Sequence, residues 1–303
     1  MRILVLVNPT AGGGAAGRAW PHVAALLRKH GADAAFAETR STQHVIEQAR
    51  GAAAASFGAV AVLGGDGTFH HAVNAAWQTG AHFAFLPAGN GNDIARGLRL
   101  PLDPIAATHA FAQALAARRE RHVDLARVRV ADGSEHIFIA AGGMGLDALA
   151  AHLVHGRFKP LPGTARYVAA ALWALREFHP VQVEATLDER PLFVFGPALF
   201  AAAANAPVYG SGVCIAPAAQ MDDGLLELTL VPQLPFLRVL EALPIVLTSG
   251  DLRWPEIRRE RARRIRLSVP GSAARMFFHG DGEVLGEAPV EIAVLPKALR
   301  MIA

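Results

Sequence analysis

Short apolar runs alternate with longer amphipathic stretches over the first third of the chain. Runs such as Ile3–Val7 and Val60–Leu63 have the length of a buried strand, and the segments that follow them repeat apolar residues at helical spacing. Strands that alternate with helices are typical of a parallel sheet covered by helices. We therefore predict an α/β domain of Rossmann-like type over residues 1–121.

The pattern changes near residue 122. Segments such as Val123–Val130 alternate apolar and polar residues, and turn sequences such as Asp132-Gly133 separate them. Both features are typical of antiparallel strands. We predict a second, β-rich domain of β-sandwich-like type over residues 122–294. We expect the terminal strand, residues 295–303, to return to the first domain.

Two segments inside this β-rich domain repeat apolar residues at helical spacing. The first extends from Met144 to about His155, and the second from Thr164 to about Phe178. Both are predicted to be helices that interrupt the series of strands.

A glycine-rich turn ends the central apolar run, which continues as Gly64-Gly65-Asp66-Gly67-Thr68. Glycines lack a Cβ atom, so they can take positive φ and let a bulky polyanion approach the backbone. The helix predicted to begin near Thr68 adds free N–H groups and the positive end of its dipole. Asp66 is then either a partner of magnesium or a helix cap, and the turn alone leaves both interpretations open.

The loop after the first strand matches a dinucleotide-binding pattern. Gly12, Gly14 and Gly17 have the G-x-G-x-x-G spacing, and Glu38 ends the second strand, as in an NAD-dependent dehydrogenase. Against this alternative, the four residues 8–11 separate the strand from the first glycine. The pattern also leaves the later Gly-Gly-Asp-Gly-Thr turn unexplained.

A third polar loop, Pro87-Ala-Gly-Asn-Gly-Asn-Asp93, lies between a predicted strand and a helix. Asp93 is placed to cap that helix. Because loops that follow parallel strands meet at one edge of the sheet, we expect this loop to complete a nucleotide cleft with the glycine turn.

Composition favours a well-packed globular chain, with 52% hydrophobic and 18% charged residues. No run approaches the roughly 20 apolar residues of a membrane span. The single cysteine, Cys214, precludes an internal disulfide, and together with the strand at the N-terminus it suggests a cytoplasmic protein. None of the three lysines follows a glycine-rich loop, so the chain has no Walker A motif.

Net charge is +3, and the positive charge is concentrated in the arginine-rich segment 253–266. Such a segment is usually a solvated face, and it could also dock on anionic lipid headgroups at the inner membrane surface. Nucleic-acid binding is not expected, because aromatic residues make up 7% of the chain and no recognised motif accompanies the arginines.

Taken in order, these motifs resemble the diacylglycerol kinase catalytic-domain family, whose superfamily includes sphingosine kinases and NAD kinases. The resemblance rests on Asn8-Pro9, on the Gly64–Thr68 turn and on the Pro87–Asp93 loop. It continues in the second domain with Ala216-Pro217 and its acidic turn, and with Asp281-Gly282-Glu283.

The resemblance implies an α/β fold joined to a β-rich domain of the NAD kinase/diacylglycerol kinase type. It also implies a lipid kinase that uses ATP and Mg2+ to phosphorylate a hydroxyl of diacylglycerol or of a related sphingoid base, ceramide or phosphatidylglycerol. Glu283 would be the general base, and Asp66 would support magnesium. The implied nucleotide contacts are Asn8, Thr39, Gly64, Gly65, Gly67, Thr68, Gly89, Asn90, Asn92 and Asp93.

The acidic turn would hold a structural magnesium through Gln220, Asp223 and Leu225. Asn90 departs from the family pattern, because diacylglycerol kinases typically carry threonine there. An NAD kinase and an inactive nucleotide-binding regulatory protein therefore stay open as alternatives. The sequence also leaves open a homodimer and a peripheral contact with the membrane.

Overall fold

The structure is a computed structural model that describes residues 1–146, 148–149, 153, 156–158, 160, 165–248, 254–271 and 276–303. The chain forms two compact units. The N-terminal unit contains residues 1–124 together with 296–303, and the C-terminal unit contains residues 125–295. The chain therefore crosses twice between the units.

The N-terminal unit alternates strands and helices. In chain order its elements are β1 (Ile3–Val7), α1 (Ala11–Lys29), β2 (Ala34–Glu38), α2 (Thr42–Ala54), β3 (Ala59–Gly64), α3 (Asp66–Ala76), a 3-10 turn (Trp77–Thr79), β4 (His82–Pro87), α4 (Asp93–Gly97) and α5 (Pro104–Ala116). Two strands begin in one unit and end in the other: β5 (Glu120–Arg129) and β17 (Val290–Ile302).

The sheet of this unit is parallel and has the order β2-β1-β3-β4, with the end of β17 parallel to β4. β1, β3 and β4 are buried along their whole length, which explains their continuous apolar sequences. The order reverses between β1 and β3, because β2 lies on one side of β1 and β3 on the other. A reversal of this kind opens a crevice at the carboxyl ends of the strands, where ligands bind in such sheets.

Local sequence signals start the helices that cover the sheet. The Ser41 hydroxyl accepts a hydrogen bond from the His44 N–H at 3.2 Å and caps α2. The Asp103 carboxylate caps α5 through two backbone N–H groups, with proline in the first turn. The helices bury apolar faces against the sheet, and the shared core includes Val5, Val23, Leu27, Leu63, Phe111 and Ile302.

The C-terminal unit is built mainly of antiparallel strands. Its elements are β6 (Glu135–Phe138), β7 (Ala141–Gly145), α6 (Ala165–Glu177), β8 (Val181–Leu187), β9 (Phe193–Ala204), β10 (Val208–Tyr209), β11 (Val213–Cys214), β12 (Leu226–Pro232), α7 (Phe236–Thr248), β13 (Arg258–Ala262), β14 (Arg264–Ser268), β15 (Phe277–Gly280) and β16 (Glu283–Glu287).

The long strand β9 organises this unit. Its first part pairs with β8, and its second part lies between β7 and β12, so that Ala202 faces both Gly143 and Thr229. β12 also pairs with β13, and β15 pairs with both β7 and β16. The strands bury one continuous apolar core that includes Val128, Phe138, Leu228, Leu267, Phe278 and Ile292. The predicted combination of an α/β unit and a β-rich unit is confirmed.

The first of the two helices predicted in this unit begins differently from the prediction. Met144 belongs to strand β7 and not to a helix, because Ala141–Gly145 pairs with β9 on one side and β15 on the other. Most of the predicted stretch up to residue 155 lies outside the described residues. The second predicted helix is α6.

Among the described residues, no helix combines the length and the apolar character that crossing a bilayer requires.

Candidate active site

The polar loops of the N-terminal unit meet at the carboxyl edge of its sheet. The Asn8 side-chain amide donates to the Thr68 hydroxyl at 2.9 Å, which joins the loop after β1 to the start of α3. Asn8 also accepts hydrogen bonds through its side-chain oxygen from the backbone N–H and the hydroxyl of Thr10. Two predicted nucleotide residues, Asn8 and Thr68, are therefore in direct contact at the point where the strand order reverses.

The glycines with positive φ lie in the first loop and not in the Gly64–Thr68 turn. Gly12, Gly13 and Gly14 have φ between 59° and 89° and form a non-helical start to α1. Gly64, Gly65 and Gly67 do not have positive φ, so the turn does not use the conformational freedom that the sequence offers. Gly64 and Gly65 instead have close neighbours that leave little room for a side chain. A Cβ atom on Gly64 would lie only 3.2 Å from the side chain of Thr68.

Two glycines bring the loops after β3 and β4 into backbone contact. A Cβ atom on Gly89 would lie 2.7 Å from the Cα of Gly65, closer than real side chains allow. The Ala88 N–H donates to the Gly64 carbonyl at 2.7 Å beside this contact. The first loop joins them, because a Cβ atom on Gly12 would lie 2.2 Å from the Ala88 carbonyl oxygen. The loops that follow three neighbouring strands thus pack backbone against backbone at this edge of the sheet.

Asp66 links these loops through its carboxylate. One oxygen accepts a hydrogen bond from the Asp93 N–H and the other from the Ile94 N–H, both at 3.1 Å. Asp66 therefore caps α4, the helix that follows β4, although it lies in the first turn of α3. The prediction that Asp93 caps its own helix is wrong, because the N-cap position belongs to Asn92 and the carboxylate comes from Asp66. Because each oxygen of a carboxylate has more than one lone pair, one hydrogen bond to each oxygen does not exclude a cation ligand.

Asn92 holds the third loop in shape. Its backbone adopts the left-handed conformation with φ of 54°, which asparagine tolerates better than most residues. Its side-chain oxygen accepts from the Gly89 N–H at 2.9 Å, and its amide donates to the Gly89 carbonyl at 3.0 Å. Asn90 is exposed at the tip of the same loop. The loop therefore presents Asn90 to solvent and uses Asn92 internally.

Thr39 lies buried just beyond the end of β2. Its N–H and its hydroxyl both donate to the Val7 carbonyl, at 2.7 and 3.1 Å, so it ties β2 to the end of β1. The structure gives Thr39 a role in positioning the first loop. A contact between Thr39 and a nucleotide stays a prediction.

Glu283 follows a two-residue hairpin turn in the C-terminal unit. Asp281 and Gly282 connect β15 to β16 with φ of 51° and 90°, as a type I′ turn requires. Glu283 is the first residue of β16 and is partly exposed. The turn thus fixes the carboxylate of Glu283 at the end of a paired strand.

Asp281 anchors this hairpin, a role that the sequence did not reveal. Its carboxylate accepts from the Ile139 N–H at 2.7 Å and from the Ala140 N–H at 2.8 Å, and its own N–H donates to the Ala141 carbonyl. The spacing in sequence is about 140 residues, so only the fold could show the contact. The Asp-Gly dipeptide signals a turn but not the segment to which the turn is attached.

A buried polar pair lies beside the hairpin. His279 is fully buried in β15, and its Nε2 atom lies 2.9 Å from the Tyr209 hydroxyl while the two rings stack. On the neighbouring strand, the buried Asn205 amide donates to the Ile139 carbonyl at 2.8 Å. These side chains hold the ends of β7, β9 and β15 together near Asp281.

The acidic turn predicted to hold a structural magnesium has a different cation beside it. The Asp223 carboxylate accepts from the Leu225 N–H at 3.0 Å and forms an ion pair with the Arg261 guanidinium. Gln220 is exposed. Among the residues that the structure describes, no three His, Cys, Asp or Glu side chains converge as metal ligands. The Arg261 guanidinium is thus the cation that contacts Asp223, and magnesium binding through backbone or side-chain oxygens of Gln220, Asp223 and Leu225 stays a prediction.

Glu227 is buried behind the same turn. Its carboxylate accepts from the Ala218 N–H at 2.8 Å, and the Arg259 guanidinium lies 3.7 Å away. Burial raises the pKa of the Glu227 carboxyl above its ordinary value, although the Ala218 N–H and the arginines Arg259 and Arg261 oppose the shift. Its position in an alternating strand gave no sign that a charged residue would be buried there.

The arginine-rich segment does not form one basic face. Arg258 and Glu260 lie on one side of β13, where Arg258 stacks over the Phe193 ring at 3.8 Å. Arg259 and Arg261 lie on the other side and contact Glu227 and Asp223 respectively. Arg253 lies outside the described residues.

Two domain families match the chain. The diacylglycerol kinase catalytic domain matches residues 2–128, and the YegS C-terminal NAD kinase beta sandwich-like domain matches residues 140–303. The first match covers the Gly12–Gly17 loop, so a dehydrogenase is not needed to explain it.

Several curated proteins are similar over most of the chain. A protein named "Diacylglycerol kinase" from Mycobacterium tuberculosis (strain H37Rv) is 28% identical over 99% of this chain and 94% of its own length. A protein named "Probable lipid kinase YegS-like" from Pseudomonas aeruginosa (strain UCBPP-PA14) is 30% identical over 87% of this chain and 82% of its own.

A solved structure has the same fold. A diacylglycerol kinase from Bacillus anthracis str. Sterne superimposes with a TM-score of 0.72, covering 99% of this chain and 96% of that one at 20% sequence identity. At this identity the likeness shows the fold alone.

Proposed function

Because the chain belongs to the lipid kinase family that joins a diacylglycerol kinase catalytic domain to a YegS-type C-terminal domain, it is a lipid kinase, and we propose that its acceptor is diacylglycerol. The reaction is the transfer of the γ-phosphoryl group of ATP to the free hydroxyl of that lipid. The observation that supports phosphoryl transfer from ATP is the backbone contact between Gly65 and Gly89, which joins the two loops at the carboxyl edge of the sheet. The name of the Mycobacterium tuberculosis relative supports the choice of lipid.

The three loops of the N-terminal unit would bind the phosphates of ATP. Gly64, Gly65 and Gly89 carry no side chains of their own, so the loops after β3 and β4 would let a polyanion come close to their backbone. The start of α3 adds the positive end of a helix dipole at the same edge. Asn8 and Asn92 keep the loops in register through hydrogen bonds that do not depend on ligand.

Asp66 would be the residue that faces the magnesium bound with ATP. Both of its oxygens accept hydrogen bonds from backbone N–H groups of α4, which orients the carboxylate at the carboxyl edge of the sheet. Magnesium typically binds nucleotide phosphates together with one or two carboxylates and would neutralise charge that develops on the transferred group. In this proposal Asp66 both orders the two loops and supplies that carboxylate.

Glu283 would accept the proton of the lipid hydroxyl as the hydroxyl attacks the γ-phosphate. A carboxylate in this role contributes typically 10²–10⁴-fold to the rate. Asp281 would be a positioning residue, because its hydrogen bonds to the backbone of residues 139–141 fix the turn that precedes Glu283. The proton resides on a Glu283 carboxylate oxygen after transfer and leaves to solvent before the next turnover.

The experiment that tests this function is phosphoryl transfer from γ-labelled ATP with Mg2+ to a panel of diacylglycerol, sphingosine, ceramide, phosphatidylglycerol and NAD. We expect label in phosphatidic acid, with the Glu283→Gln variant as the matched inactive control. Label in another lipid would identify that lipid as the acceptor in place of diacylglycerol. Label in NAD would refute the lipid assignment, and ATP binding without any transfer would favour a regulatory role.

We also propose that the protein meets its lipid as a peripheral protein at the bilayer surface. Leu192 and Val194 near the start of β9 and Leu237 in α7 are more than half exposed, and exposed apolar side chains would gain by burial in a bilayer interface. Residues 194–197 and 232–235 line a groove between Val194 and the segment that precedes Leu237. We expect cosedimentation with vesicles that contain anionic lipid, and a weaker interaction in the Leu237→Asp variant. Equal cosedimentation of both proteins would contradict this surface.

A further inference from the structure

The acidic turn of the C-terminal unit has a cation of its own, the guanidinium of Arg261. Arg261 lies in β13 directly opposite Glu227 of β12, so its place is fixed by strand pairing and not by the turn. From there its guanidinium reaches the Asp223 carboxylate. The other oxygen of Asp223 accepts the Leu225 N–H at 3.0 Å.

The neighbouring arginine holds the other end of the same loop. Arg259 lies two residues away on the same face of β13, and its Nε atom donates to the Ile215 carbonyl at 3.3 Å. The Thr229 hydroxyl donates to the same carbonyl at 2.9 Å, and Glu227 accepts the Ala218 N–H. The loop over residues 215–225 is thus held at its start by Arg259 and at its end by Arg261.

These contacts neutralise the Asp223 carboxylate and fix the backbone of the turn, which are the two effects that a structural divalent cation would have there. Such a cation would neutralise Asp223 and fix the backbone around it through six to eight oxygen ligands. Here the guanidinium neutralises Asp223, and strand β13 fixes the position of that charge. A divalent cation placed at the same carboxylate would lie within a few ångströms of a permanent positive charge and would be repelled by it.

We propose that Arg261 replaces the structural metal ion of the acidic turn, so that this chain folds and keeps the 215–225 loop ordered without metal at that place. The proposal concerns folding and not the magnesium that accompanies ATP. It is therefore independent of the acceptor lipid and of the catalytic role of Glu283.

The test is thermal denaturation of the full-length protein without nucleotide, in EDTA and in excess Mg2+. We expect the same Tm in both for the wild type. The Arg261→Gln variant should have a lower Tm in EDTA and should recover stability on addition of Mg2+. Arg258→Gln is the matched control, because Arg258 lies on the same strand but on the opposite face, and its Tm should not depend on Mg2+.

Mn2+ binding followed by electron paramagnetic resonance, again without nucleotide, tests the same proposal directly, with circular dichroism to verify that Arg261→Gln is folded at the temperature used. We expect the wild type to bind Mn2+ at least about tenfold more weakly than Arg261→Gln, because the variant removes a full positive charge beside Asp223. A wild-type Tm that rises with Mg2+, or a tight Mn2+ site in the wild type that is lost in Asp223→Asn, would overturn the proposal.

Discussion

Gly89→Ala is the substitution that most directly tests how the nucleotide edge is built. The added methyl group would lie 2.7 Å from the Gly65 Cα and 2.9 Å from the Asn92 side-chain oxygen. Neither atom can move freely. Gly65 precedes α3, and the Asn92 oxygen already accepts the Gly89 N–H. The loops after β3 and β4 must therefore separate to accept the variant.

The expected cost follows from this overlap. Forcing an extra methyl group into a closely packed site typically costs about 1–3 kcal/mol. At about 2–4 °C per kcal/mol for a chain of this size, Tm should fall by about 2–12 °C. ATP affinity should fall by about tenfold, or about 1.4 kcal/mol, because the phosphate-binding backbone moves.

The assay is thermal denaturation together with calorimetric ATP binding on Gly89→Ala and a control, Gly51→Ala. Gly51 is an exposed residue of α2 where a Cβ atom would meet nothing within 4 Å. The control should be unchanged or more stable by up to about 0.5–1 kcal/mol, since alanine favours helix. Wild-type stability and ATP affinity in Gly89→Ala would refute the claim that the two loops must touch.

Three further substitutions test other parts of the structure. Asp281→Ala should destabilise the protein by about 1–3 kcal/mol for each backbone N–H of residues 139–141 left without an acceptor, and denaturant unfolding unchanged from wild type would contradict its anchoring role. Glu227→Gln tests the raised pKa of that carboxyl: the folded protein keeps a proton that the unfolded chain loses, so wild-type stability should fall as pH rises from 4.5 through the raised pKa. The variant cannot ionise and should lack this fall, so parallel pH dependences of the two proteins would contradict the assignment. Thr39→Val should lower the free energy of unfolding by about 0.5–1.5 kcal/mol, because the hydroxyl bond to the Val7 carbonyl is lost while the Thr39 N–H still donates to it, and Thr39→Ser should retain the bond. A loss of ATP affinity without a loss of stability would instead indicate direct nucleotide contact.

Periodicity predicted the architecture because local patterns largely determine it. The buried strands β1, β3 and β4 are largely apolar runs, and Asn8, Gly65 and Gly89 respectively follow within two residues of their ends. The parallel order then places those loops together by geometry alone. For this reason the contact between Asn8 and Thr68 could be anticipated as a shared cleft from sequence.

The strands of the C-terminal unit were harder to predict because tertiary contacts decide them. Ala141–Gly145 resembles neither a helix nor a strand in composition, yet it lies between β9 and β15. A Cβ atom on Gly142 would lie 2.7 Å from the His279 carbonyl oxygen, so the small residue is required by a strand about 137 residues away. Likewise β9 continues through Pro197 into an alanine run that shows no alternation, because both of its faces are buried, with Ala201 and Ala203 in one core and Ala202 and Ala204 in another.

The candidate site also divides into local motifs, which the sequence reveals, and contacts between distant residues, which it does not. Sequence identified the loops and left Asp66 open between a magnesium partner and a cap of its own helix, whereas its carboxylate caps α4, the helix that follows another strand. The partners of Asp281 and Asp223 are 140 and 38 residues away, and no local pattern specifies such pairs.

The most direct test of the account is label transfer from γ-labelled ATP to diacylglycerol by Glu283→Gln and wild type at matched ATP occupancy. Glutamine keeps the size and hydrogen-bonding capacity of the side chain but cannot accept the proton of the lipid hydroxyl. The account predicts that transfer falls by at least about 100-fold while Tm and ATP affinity stay at wild-type values. Transfer at a near wild-type rate by Glu283→Gln would contradict it.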